Sequence, residues 1–206
     1  MKLIDKKGFT LIELLVVIAI IAILSVVVIL TLNPAELLRQ SRDSNRISDL
    51  SVTKSAVSFY LASVTTPSIG TFGKCYEDAS TTTVGQPTVG SSTCIWFGTA
   101  NGGTSSDVFS SSTSVSGTGW IPIAFTTTTA TAAIPGGSPL GSLPHDPLNN
   151  DGIHFYSYTA SSTSLVFKLD AHMESQKYSS GGSNDVVSTD GGSDPLSYEQ
   201  GTNLAL

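Results

Sequence analysis

Apolar residues run almost without a break from Phe9 to Leu32, a stretch of 24 residues. As a helix it would be roughly 36 Å long, enough to cross a bilayer. One carboxylate, Glu13, sits inside it. A charge in such a segment costs on the order of a few kcal/mol, so Glu13 is expected to carry a function. Asn33-Pro34 closes the run. Proline has no amide hydrogen and clashes with the carbonyl one turn earlier, so the helix must kink or open between Leu30 and Asn33.

The pattern then changes. After Pro34 no Gly or Pro occurs until Pro67, and Ile47, Leu50, Val57, Leu61 and Val64 recur at three-, four- and seven-residue intervals, the mark of one apolar helical stripe. Arg39, Arg42, Asp43, Arg46 and Asp49 fall between the two apolar regions and are expected to form a solvated helix face. The two halves predict a helix of about 56 residues, roughly 84 Å long. From Thr65 to about Gly119 the chain reads as a Ser/Thr-rich loop. GWIPIAF (119–125) follows as an edge or irregular strand, because it contains a proline. GIHFYSY (152–158) and SLVFKLDAHM (164–173), joined by a short polar link, predict an antiparallel hairpin. In the second strand Leu165, Phe167, Leu169, Ala171 and Met173 alternate with Val166, Lys168, Asp170 and His172, so one face should meet the helix stripe. The other should meet solvent or a neighbouring subunit. The fold class is α+β, a long N-terminal helix on a small antiparallel sheet. It divides into residues 1–8, an apolar helix 9–32, an amphipathic helix 33–64 and a β-rich head 65–206.

Charge narrows the function. Beyond Lys54 there are eleven acids against three lysines, a net charge of −8, which excludes a head that binds nucleic acid through a basic surface. His145, His154 and His172 stand apart in sequence, with no H-E-x-x-H, no G-x-S-x-G and no phosphate-binding glycine loop. No catalytic residues are expected. Cys75 and Cys94 are the only cysteines; an even count in a head outside the cytoplasm predicts a disulfide worth about 3 kcal/mol. The pair lacks the companions a zinc site needs. LPHDPLNNDG (143–152) reads as Pro and Asx turn chemistry. The tail from Ser179 to Leu206 is glycine-rich and acidic, and is expected to be flexible. Calcium is the alternative there, because Asp185, Asp190, Asp194 and Glu199 offer hard oxygen ligands within fifteen residues. No other cofactor is expected.

The N-terminus carries a resemblance. MKLIDKKG followed by FTLIELL and an apolar helix resembles the class III signal of type IV pilins and type II secretion pseudopilins. A secretory signal peptide would have a shorter apolar region before an A-x-A site. A plain membrane anchor fits the length and the lysines at 2, 6 and 7, but leaves Glu13 unexplained. The resemblance implies cleavage between Gly8 and Phe9 by a prepilin peptidase and N-methylation of Phe9. It also implies pairing of the Phe9 amine with Glu13 of a neighbouring chain, and polymerisation into a homopolymeric helical filament on an inner-membrane assembly platform. The subunit would sit in the inner membrane before assembly and in a cell-surface filament afterwards, or in the periplasm if it is a pseudopilin. Major pseudopilins hold calcium in a C-terminal loop, and the 143–152 turn resembles the turn leading into their sheet. Many type IV pilins staple a C-terminal loop with a disulfide, which this chain cannot do. A monomeric membrane-anchored surface binding protein is the reading outside this class.

Overall fold

The computed structural model describes residues 8–78, 106–126, 134, 136–149, 153–192 and 194–206. Two compact units are present, Met1–Leu38 and Arg39–Leu206.

The first unit is dominated by α1 (Leu11–Leu32). Its start is a reciprocal cap: Thr10, in extended conformation, accepts from the Glu13 amide, and the Glu13 carboxylate accepts from the Thr10 amide. Two of the orphan donors at a helix start are satisfied in this way. The hydroxyls of Ser25 and Thr31 bond back to the carbonyls of Ile21 and Val27 at 2.7 and 3.1 Å, which leaves no side-chain donor without a partner on the apolar cylinder. The helix ends at Asn33, whose left-handed backbone (φ 40°) caps it. Asparagine is one of the few side chains that tolerates this conformation.

Helix α2 (Pro34–Ser63) begins there, with proline in the first helical position, where its missing amide costs nothing. The Asn33 carbonyl takes the first bonds of α2, from the amides of Glu36 and Leu37. One residue therefore ends one helix and opens the next, and the predicted 56-residue helix is two helices of 22 and 30 residues.

In the second unit a five-stranded sheet runs in the order β2-β1-β3-β4-β5: β1 Lys74–Glu77, β2 Ser106–Phe109, β3 Tyr156–Ser161, β4 Val166–His172 and β5 Ser197–Gly201. Only β1 and β2 are parallel. One sheet face carries Tyr76, Tyr156, Tyr158, Leu169, Ala171 and Tyr198, which join Leu50, Val57 and Tyr60 of α2 in one core. Trp120, Ile121, Ile123 and Phe125 complete it, each at most 1% exposed. The Tyr60 and Phe125 rings meet edge to face at 5.8 Å.

Several expectations are corrected. The hairpin exists, but its strands lie at 156–161 and 166–172. GWIPIAF forms no strand; it enters the core irregularly, with a single bridge from Ala124 to Ser116. The stretch read as loop from Thr65 to Gly119 contains β1 and β2. Four-residue strands are too short for their alternation to stand out. The tail is not flexible throughout, because β5 pairs with β4 from Ser197 to Gly201. The second face of β4 does not meet solvent either: Lys168 and Asp170 are buried with the rest of the strand. The charged stretch of α2 is not a solvated face, since Asp43 and Arg46 are wholly buried. Buried positions 43, 46, 50, 53, 57, 60 and 64 continue the apolar stripe backwards, at the same alternating three- and four-residue step, through two charged residues.

Candidate functional site

At the N-terminal end, Gly8 is exposed and a side chain there would meet nothing within 4 Å. Phe9 is 76% exposed. The Glu13 carboxylate turns back onto residue 10, accepting from the Thr10 amide at 2.8 Å and its hydroxyl at 2.7 Å. The only charged side chain of α1 is thus aimed at the chain end that cleavage after Gly8 would create. Around it Leu11, Ile12, Leu14, Leu15 and Val16 are all exposed, and Leu11–Ile29 is long and apolar enough to cross a membrane.

Residues 4–29 match the family described as the prokaryotic N-terminal methylation motif. Fold and N-terminus together define a pilin-like α+β protein. The N-terminus carries the class III signal found on type IV pilins and pseudopilins. No curated protein and no solved structure matches the chain.

Several charged side chains of the head are buried. Arg46, fully buried, donates from Nε and Nη2 to both oxygens of Asp146 at 2.6 and 2.8 Å, and from Nη1 to Asp43 at 2.8 Å and Glu174 at 2.5 Å. Arg42 grips Glu174 from the other side, with Nε 2.8 Å and Nη2 2.5 Å from its oxygens. Asp43 in turn accepts the amides of Glu174 and Ser175. Burial opposes ionisation of Glu174, but the two guanidiniums win and hold its carboxyl down at about 2. The Asp146 turn is therefore more than turn chemistry. Its carboxylate accepts the Leu148 amide at 2.8 Å while clamping α2 through Arg46. Beside it His145 pairs with Asp78 at 2.5 Å, and burial pushes the Asp78 carboxyl up to about 6 against the pull of His145. His154 and His172, isolated in sequence, place their rings 5.5 Å apart.

On the sheet face away from α2 lies a second charged centre. Lys168 and Glu199, both fully buried, meet through Nζ and Oε1. Asp170 stands directly opposite Glu199 across the β4–β5 ladder, with Oδ2 3.8 Å from the Lys168 Nζ. Among the described residues neither Asp170 oxygen has a hydrogen-bond partner. Burial pushes its carboxyl well above the usual carboxylate range, with Lys168 pulling it back.

The proposed calcium ligands are engaged separately. Asp185 caps its own turn: the Ser188 hydroxyl above all, with the amides of Ser188 (2.9 Å) and Gly181 (2.7 Å), donates to its carboxyl and holds it down at about 2. Asp190 accepts the Gly192 and Glu199 amides at 2.8 and 2.6 Å. Asp194 accepts the Leu196 amide at 2.9 Å, and its own amide donates to Glu199 Oε2 at 3.2 Å. Asp190, Asp194 and Glu199 are thus drawn together and Asp185 is not. Among the described residues no three of His, Cys, Asp and Glu form a group that could hold a metal ion. Pro34 opens α2. Cys75 is buried in β1 and is not a free thiol; Cys94 lies outside the described residues.

Sequence reasoning missed both buried ionic centres. Arg46 had a signal: it and Asp43 extend the stripe that Leu50 begins. Lys168 and Asp170 had a weaker one, as the only Lys, Arg, Asp or Glu in an apolar strand.

Proposed function

We propose that this chain is a structural subunit of a type IV pilus-like filament, cleaved between Gly8 and Phe9, N-methylated at Phe9 and polymerised through α1. The methylation motif around Glu13 carries this reading. Physical support comes from the exposed apolar surface of α1, which a bilayer can cover before assembly and neighbouring α1 helices can cover after it. Inside such a bundle a lone carboxylate needs a cationic partner to offset its desolvation, and the new amine of a neighbour's Phe9 would supply one. A pseudopilin of a type II secretion system is the second reading. The ordered acidic tail on β5 and the Asp146 turn favour that head type.

N-terminal mass spectrometry of assembled material tests the processing step: the first residue should be methylated Phe9, and an intact Met1 would overturn the reading. Glu13→Val should leave membrane insertion unchanged and reduce filament yield seen by electron microscopy. Full yield from that variant would remove Glu13 from the assembly mechanism. Filaments assembled mainly from this chain on the cell surface would favour the pilus over the monomeric surface protein.

A further inference from the structure

We propose that Lys168 and Glu199 condense into an intramolecular amide that ties β5 covalently to β4, with Asp170 carrying the proton. The parts of such a reaction stand together. The Lys168 Nζ is the nucleophile and touches Oε1 of Glu199, with both side chains 0% exposed. Glu199 Oε2 accepts the Asp194 amide at 3.2 Å, so the oxygen that becomes the amide carbonyl is held by a donor able to stabilise developing negative charge. Asp170 Oδ2, 3.8 Å from Nζ, has no hydrogen-bond partner among the described residues, and a fully buried carboxyl in that state needs an explanation.

The pairing is fixed by the fold. Lys168 and Asp170 lie two residues apart on one face of β4, with Glu199 directly opposite Asp170, so Lys168 reaches it along the diagonal. Gly192 and the Asp194 amide lie against the Glu199 carboxylate. A Cβ on Gly192 would stand 1.3 Å from Glu199 Oε2, so a larger residue there would displace the Glu199 carboxylate.

The atoms balance without a co-reactant. The ion pair first shares a proton, leaving a neutral amine and a carboxylic acid. Nζ attacks Cδ of Glu199, and the bond from Cδ to Oε1 breaks. Asp170 takes the second proton from nitrogen and delivers it to the departing oxygen, which leaves as water. A buried positive and a buried negative charge are replaced by one neutral amide, which removes the desolvation cost of the pair. Holding amine and carboxyl in contact turns an unfavourable bimolecular condensation into a unimolecular one. The consequence suits a chain whose tail has no cysteine: the edge strand β5 gains a covalent tie to the sheet.

Trypsin provides the test on the mature full-length chain extracted in detergent and reduced. Lys168 and Lys177 are the only cleavage sites after Lys74. The expected product is uncleaved at Lys168 and joined to the Tyr178–Leu206 peptide, lighter than the summed peptides by one water, with fragmentation placing the loss on Lys168 and Glu199. A Leu169–Lys177 peptide together with an unmodified Tyr178–Leu206 peptide would overturn the proposal. Lys168→Arg keeps the charge without a competent nucleophile and should restore the sequence mass with the native circular dichroism retained; water loss persisting in it would also overturn the assignment. Asp170→Asn, folded by the same criterion, should slow cross-link formation by at least about 100-fold. Formation at the wild-type rate would remove Asp170 from the reaction.

Discussion

Replacing Arg46 with methionine removes the one cation that three carboxylates share. In the native head it makes four charge-assisted bonds, two to Asp146, one to Asp43 and one to Glu174. The partners differ in what they keep. Asp43 retains the amides of Glu174 and Ser175, and Glu174 retains Arg42. Asp146 retains the Leu148 amide and has a side chain with no exposure. Methionine fills most of the volume, so the loss is electrostatic and not a cavity. Deleting one partner of a buried pair costs about 3–5 kcal/mol, a large part of the roughly 5–15 kcal/mol that holds a typical protein folded. With a urea slope of about 2 kcal/mol per molar, the midpoint should fall by roughly 2 M. The assay is urea unfolding of the detergent-solubilised chain followed by tryptophan fluorescence, because Trp120 lies in the core beside Tyr156 at 6.2 Å between centroids. A midpoint within about 0.3 M of wild type would refute the claim that this centre locks α2 to the head.

Other outcomes follow from the same geometry. Glu174 is held at about 2, below its ordinary 4.5, so its contribution is complete above pH 4.5 and lost as pH falls toward 2; Glu174→Gln should lower stability by roughly 3 kcal/mol at pH 7 and by little at pH 2. Equal losses at both pH values would show that the carboxylate charge is not the cause. Cys75 and Cys94 are expected to be bonded to each other, so thiol labelling of the unreduced protein should find neither. Labelling of both would exclude the bridge, and reduction should otherwise cost about 3 kcal/mol. Because Lys168 engages Glu199 and backbone amides occupy Asp185 and Asp190, melting should be the same with calcium and with chelator. A calcium-dependent rise that Asp190→Ala abolishes would reinstate the metal reading of Asp185, Asp190, Asp194 and Glu199.

What could be read from the chain alone was whatever depends on neighbours in sequence. The apolar run with Glu13, the break at Asn33-Pro34 and the core stripe of Leu50, Val57 and Val64 are local patterns with a local cause: helix period, missing amide, burial of one face. The hairpin was legible for the same reason, although its ends shifted by several residues. Charge placement left only a faint trace, in positions 43 and 46 falling on the core stripe, and nothing local named the partners. Arg46 meets Asp146 across 100 residues and Glu174 across 128, and Lys168 meets Glu199 across 31. Each of these side chains alone favours water, so a sequence pattern sends it to the surface. Only when distant elements bring a counter-charge and close off solvent does burial become tolerable. Solvent exclusion is a property of the packed head, and for that reason the tertiary structure alone decided where these charges went.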